Sequence, residues 1–176
     1  IGLEILEQLP EADQVVVPIG GGGLISGVAY AIKNLKPSCR VIGVQAAGAA
    51  SMYTSRQAGE VLTLPSVATI ADGIAVKTPG EKTFEYIQKY VDRVVTVSDD
   101  EIASAVLLLL ERCKQVVETS GAAPLAAVLN NKVDVKGKKV VCVLSGGNID
   151  VSFIHKIVEK GLITRCRQLK FSVLMP

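Results

Sequence analysis

The chain has 176 residues, 49% of them hydrophobic, enough for one α/β domain with a buried core and outside the disordered range. Its 19 basic and 17 acidic residues are spread along the chain with a net charge of +2, so nothing points to nucleic acid or to a charged membrane surface. Trp is absent, aromatics are only 4%, and no apolar run reaches membrane-spanning length, which argues against base-stacking platforms and transmembrane helices.

Ile1–Leu9 reads as an amphipathic helix already under way, and the first residue is not Met. The chain is therefore expected to be a fragment of a longer protein. The run QVVVP predicts a strand over Gln14–Pro18, followed by four glycines and a helix over Leu24–Leu35. RVIGV predicts a strand over Arg40–Val44, and a helix is expected near Ser51–Ala58. Residues 60–79 carry turn signals at Pro65 and Pro79-Gly80 and read mostly as loop. A helix over Lys82–Val91 then leads to a strand over Arg93–Val97.

Ser98-Asp99-Asp100-Glu101 has the spacing of a capping box, with a hydroxyl at the cap and a carboxylate three residues on. It predicts a long helix to about Val117. Gly121 is expected to open the next helix, Ala122–Asn131. The run KVVCVL predicts a strand over Lys139–Leu144, running into Ser145-Gly146-Gly147-Asn148. The last helix is expected over Val151–Lys160, with Gly161 as its C-cap, and RQLKFSVLMP reads as a strand beyond it.

Alternating strands and helices, with near-continuous apolar strands, predict an α/β fold: a three-layer parallel sheet with helices on both faces. Ligands of such sheets sit at the carboxyl ends of the strands. Here those ends carry two conspicuous loops, 20–23 and 145–148.

The first loop, PIGGGGLISG, has the makings of a phosphate cradle. Glycine brings no Cβ to hold an anion away, and the following helix contributes its N-terminal N–H groups. A plain strand–helix turn would need only one or two glycines. The ATP-type GxxxxGK[ST] is absent, and GxGxxG fails at Ile25 or Ser26. The looser GxGxxxG fits Gly21, Gly23 and Gly27, but the second strand ends at Gln45, where a dinucleotide site has an acid for the ribose. That weakens a nucleotide reading and leaves it open.

The second loop, LSGGN, offers one serine hydroxyl at a strand tip and two glycines beside which a flat ring could lie. GxSxG is absent, and the single histidine, His155, falls on the last helix, so a Ser-His-Asp triad is poorly supported. The cysteines, Cys39, Cys113, Cys142 and Cys166, form no CxxC pair; they read as buried or incidental thiols of a reducing cytoplasm.

Taken together, PIGGGGLISG, VIGVQ, TIADGIAVKTPG, VVETSGAAPLAAV and VLSGGNID resemble the threonine dehydratase (threonine ammonia-lyase) family of pyridoxal-phosphate (PLP) enzymes of fold type II, in order and approximate spacing. Serine racemases and serine dehydratases are close kin and stand as the alternative within this class. The resemblance implies PLP as cofactor and threonine or serine as substrate. It makes Gly20, Gly21, Gly22, Gly23 and Leu24 the loop that holds the phosphate. It makes Ser145 the partner of the pyridine nitrogen, and Gly73 a backbone segment beside the ring. Glu118 would be an acid near the ring or, equally, a helix-end residue. Relatives that bind a divalent ion beneath this loop use carboxylates near the positions of Gln45 and Ser51, so the resemblance points away from that subtype and no metal ligands are expected.

The implied chemistry is β-elimination: the α-proton and the β-hydroxyl are lost, and the resulting enamine hydrolyses to 2-oxobutanoate and ammonia from threonine, or to pyruvate from serine. The family's cofactor-bearing lysine lies well before the glycine loop. No lysine here sits in a matching motif, and Lys77 reads as a surface residue, so no catalytic residue is assigned and the fragment is expected to be inactive alone. Residues 1–161 are expected to be the C-terminal part of the catalytic domain. Residues 162–176 resemble a linker and the first strand of an ACT-type regulatory domain. Family habit implies a cytoplasmic homo-oligomer, dimer or tetramer, with a place in isoleucine biosynthesis. Two other readings remain: a non-catalytic nucleotide-binding module, and a scaffolding remnant that binds neither ligand.

Overall fold

The computed structural model describes residues 1–164, 166–169 and 171–174. Among them, helix α1 (Gly2–Gln8) precedes strand β1 (Gln14–Pro18), α2 (Gly23–Leu35), β2 (Arg40–Ala46), α3 (Ser51–Ala58), α4 (Glu81–Tyr90), β3 (Arg93–Val97), α5 (Asp99–Leu108), α6 (Thr119–Leu129), β4 (Val140–Cys142) and α7 (Val151–Thr164). The four strands form one parallel sheet in the order β3-β2-β1-β4.

Every residue of β1 is buried, as a central parallel strand with both faces covered requires. Its side chains alternate between two cores. Val15 and Val17 join Val41, Val94, Ile25, Val28 and Ile87 beneath α2 and α4. Val16 joins Ile42, Val44, Val95, Ile102, Ala123 and Ile157 beneath α5, α6 and α7. These two cores make the three layers expected from the strand–helix alternation. Each fully buried valine or isoleucine contributes about 1.5–3 kcal/mol.

Gly43, inside β2, leaves its place to a neighbour. A Cβ there would stand 2.2 Å from the Ile19 Cδ1 atom, so the side chain of Ile19 lies over the glycine and anchors the start of the glycine loop.

Several helix boundaries differ from the sequence expectation, most of all at α5, α6 and α7. Helix α5 starts on the expected capping box, with the Ser98 N–H donating to Glu101 Oε2 at 2.7 Å and the Glu101 N–H to Ser98 Oγ at 3.2 Å. It does not run to Val117. At Leu109 it widens into one π-type turn, and Lys114, with φ of +57°, ends it. No Gly or Pro marks that stop. What fixes it is tertiary: the next stretch must reach the site, burying Val117 on the way. Helix α6 correspondingly starts at Thr119, before Gly121.

At the other end, Gly161 does not cap α7, which continues to Thr164. A Cβ at Gly161 would meet the Ala103 carbonyl and the Leu107 side chain at 3.2 Å, so this glycine lets α7 lie close on α5. The strand expected over 167–176 includes Lys170, Met175 and Pro176, which lie outside the described residues; the described residues 166–169 and 171–174 form no strand. Among the described residues no helix is long and apolar enough to cross a membrane.

Candidate functional site

The strand order holds a switch point. The chain steps outward from β1 to β2 to β3, then returns to the opposite side of β1 for β4. A crevice opens between the carboxyl ends of two such strands, where parallel sheets bind ligands. The glycine loop follows β1 and the serine loop follows β4, so the two face each other across this crevice.

A cavity of about 220 Å³ occupies it. Its walls are Pro18, Gly20, Gly21, Gly22, Gly23, Leu24, Gly73, Ile74, Glu118, Ser120 and Ser145. All eight residues singled out from the sequence line this one cavity, although they come from four separate stretches of chain. Pro18, Ile74 and Ser120 were not foreseen. None of the lining residues is a lysine. A larger cavity, of about 480 Å³, lies at the open edge of β3 among Arg56, Gln88 and Asp92, and holds none of the foreseen residues.

The glycines do different work. Gly22 is the N-cap of α2 with φ of +95°, and its missing Cβ would stand 2.9 Å from Ile87 Cδ1 and from Thr83 Cβ. It is thus a turn residue pressed onto α4. The loop is tied further by the Thr83 hydroxyl, 2.6 Å from the Gly21 carbonyl, and by the Ser26 hydroxyl, which donates to the Gly22 carbonyl at 2.7 Å. At Gly21 and Gly23 a Cβ would meet nothing within 4 Å. Neither packing nor a left-handed φ requires glycine there, and the open backbone leaves room for an anion to approach. The N–H groups of Gly20, Gly21 and Gly22 donate to nothing among the described residues, and the first amides of α2 have no partner within the helix.

The opposite wall is built by close approaches. The Glu118 N–H donates to the Gly146 carbonyl at 3.1 Å, and Gly121 lets that carbonyl lie on the first turn of α6. Glu118 is the N-cap of α6, yet its side chain makes no capping bond. Its carboxylate instead lines the cavity. Gly73 is delivered by a loop pinned on both sides. Asp99 accepts from the Thr69 hydroxyl at 2.6 Å and from the Ile70 N–H at 3.2 Å, and the Thr119 hydroxyl donates to the Ile70 carbonyl at 2.8 Å. Farther along, Asp150 accepts from the Ser152 N–H at the start of α7, and Ser152 holds its carboxyl below the usual range.

Gln45 does not face the crevice. It is fully buried; its Oε1 accepts from the Tyr53 N–H at 2.8 Å and its amide group donates to the Ile19 carbonyl at 3.4 Å. Ser51 donates to the Val76 carbonyl at 2.7 Å. Both neutral side chains are committed to backbone and brace the loops around the site. His155 and Lys77 are exposed.

A family model described as pyridoxal-phosphate dependent enzyme matches residues 1–146. The chain belongs to the family of pyridoxal-phosphate-dependent enzymes. Within it, this chain is 55% identical over 169 residues to the L-threonine ammonia-lyase of Thermotoga maritima, covering 96% of this chain and 42% of that protein. It is 53% identical over 173 residues to the L-threonine ammonia-lyase of Geobacter sulfurreducens, covering 98% and 43%. The chain therefore spans less than half the length of these curated relatives. Among solved structures, the processed form of threonine deaminase isoform 2 from Solanum lycopersicum superposes with a TM-score of 0.87 at 38% identity, covering 93% of this chain and 46% of that one. Maize serine racemase gives 0.82 at 40% identity, covering 90% and 51%.

The pyridoxal-phosphate family thus accounts for the fold and names the cofactor, PLP. The cavity fits that group on its own terms: free N–H groups and two open glycines at one end, hydroxyls and a carboxylate at the other.

Proposed function

We propose that the full-length protein is a PLP-dependent threonine dehydratase that deaminates L-threonine to 2-oxobutanoate and ammonia by β-elimination, with serine as a second substrate. The observation that carries this is the convergence of the glycine loop, Gly73, Glu118 and Ser145 on one cavity at the switch point of the sheet. The threonine ammonia-lyase relatives at 53–55% identity support the reaction class.

In this reading Gly20, Gly21, Gly22, Gly23 and Leu24 hold the phosphate of PLP through backbone N–H groups and the start of α2. Ser145 would hydrogen-bond the pyridine nitrogen, and its neutral hydroxyl would leave that nitrogen less proton-rich than a carboxylate would. Glu118 and Gly73, which line the same cavity, would stand beside the ring. When bound, PLP supplies the electron sink for loss of the α-proton and the β-hydroxyl. The cofactor-bearing lysine lies in the part of the full-length protein before the glycine loop, so residues 1–176 alone are not expected to turn over.

Residues 1–161 are read as the C-terminal part of the catalytic domain. Residues 162–176 are read as the approach to an ACT-type domain that brings amino-acid control; Leu169, Phe171, Val173 and Leu174 are 69–101% exposed and suit a segment covered by further structure. The proposal extends to a cytoplasmic homo-oligomer serving isoleucine biosynthesis. A racemase of the divalent-ion type is less favoured, because Gln45 and Ser51 are neutral and already bound to backbone.

An assay of the purified full-length protein for 2-oxobutanoate from L-threonine tests this. Turnover of threonine with release of ammonia is expected. Racemisation of serine without deamination would overturn it.

A further inference from the structure

Two buried side-chain polar atoms lack a hydrogen-bond partner among the described residues, Gln14 Oε1 and Ser120 Oγ. A buried, unmatched hydroxyl is costly, and native proteins keep few of them. Gln14 is at the amino end of β1, far from the crevice, and its amide nitrogen is bonded to the Asp134 carbonyl. Ser120 is different. It is 2% exposed, stands at the second position of α6, and lines the cavity.

Its place within the cavity follows from the close approaches around it. Gly20 lies against Gly73 and Ile74, since a Cβ on Gly20 would be 3.2 Å from both the Gly73 carbonyl and Ile74 Cα. A Cβ on Gly73 would be 2.9 Å from Ser120 Oγ and 3.9 Å from Glu118 Oε1. A Cβ on Gly146 would in turn meet Glu118 Oε1 at 2.6 Å. Close approaches therefore link the glycine loop, Gly73, Ser120, Glu118 and the serine loop in turn, with Gly73 standing between Ser120 and the glycine loop.

We propose that Ser120 is a further cofactor-positioning residue: its hydroxyl completes its hydrogen bonding only when the ring of PLP enters the cavity. This rests on the PLP reading of the site above. Two consequences of opposite sign follow. Without cofactor the hydroxyl is an uncompensated buried group, so removing it relieves the apo-protein. With cofactor the same removal deletes a hydrogen bond.

The test is Ser120→Ala in the full-length apo-protein, measured by thermal melting and by PLP titration. The expected result is an apo Tm equal to or above wild type, with PLP affinity about three- to tenfold weaker, the worth of one neutral hydrogen bond. The melting shift induced by inorganic phosphate alone should not change, because that probe occupies only the glycine loop. Unchanged PLP affinity in a folded variant overturns the proposal. So does equal weakening of PLP and phosphate, or a lowered apo Tm, since either means Ser120 only shapes the protein. If wild type itself shows no saturable PLP binding, the reading of the site fails and this proposal fails with it.

Discussion

The carboxylate of Glu118 lies directly against the backbone of Gly146: a Cβ on that glycine would stand 2.6 Å from Glu118 Oε1. The contact is returned by the Glu118 N–H, which donates to the Gly146 carbonyl at 3.1 Å. The acid at the start of α6 and the serine loop after β4 are therefore one mechanical unit. Gly146→Ala should push the flexible Glu118 carboxylate aside at little cost to the fold. A near wild-type apo Tm together with weaker PLP binding is expected, and unchanged PLP binding would show that the placement of this carboxylate does not matter.

The glycine loop should separate into two kinds of position. Gly22→Ala meets both a φ of +95° and the Ile87 and Thr83 side chains, so it should lose about 1–3 kcal/mol of stability whether or not cofactor is present. Gly23→Ala meets nothing within 4 Å and should fold normally while binding phosphate-bearing ligands more weakly. Melting curves with and without PLP distinguish the two. Equal apo stability of both variants would contradict this division.

Asp99 holds the Gly73 loop from outside the cavity, through Thr69 and the Ile70 N–H. Asp99→Ala should release residues 69–74 and cost about 1–3 kcal/mol, with faster amide exchange at Ile70 and Ala71. Exchange unchanged from wild type would mean that Thr119 alone fixes the loop.

Burial pushes the Cys142 thiol up to about 11, from 9.0 for a free thiol. Below about pH 9 the thiol is neutral whether the chain is folded or not, and its contribution is fully present. Between 9 and 11 the unfolded chain ionises first, so that contribution falls as pH rises and is lost on passing 11. The Cys39 thiol, also raised by burial, acts in the same direction. Tm should fall less steeply from pH 8.5 to 11 in Cys142→Ala than in wild type; parallel curves would contradict the assignment.

The sheet was legible because QVVVP and RVVTV are short, rich in β-branched residues and followed by turn or cap residues, which together mark strands buried on both faces. The capping box at Ser98 was legible because it is local chemistry. The end of α5 was not, since the chain stops there to meet the site and carries no breaker residue. Gly121 and Gly161 were misread as helix punctuation when both serve close packing, which only the tertiary structure reveals. Ser120 was missed although ETSG places it two residues after Glu118; a small hydroxyl on a buried first turn leaves no pattern in the sequence. Gln45 was read as too neutral to serve as a ribose or metal ligand, and its side chain turns into the core to hold α3.

The central claim is that the loop after β1 cradles the phosphate of PLP. The most direct test is a spectral titration of the full-length apo-protein with PLP, wild type against Gly21→Asp. A Cβ at Gly21 meets nothing within 4 Å, so the variant should keep its apo Tm while its carboxylate occupies and repels the phosphate position. Saturable binding by wild type, abolished in the folded variant, is predicted. Binding of equal affinity by both proteins would contradict the account.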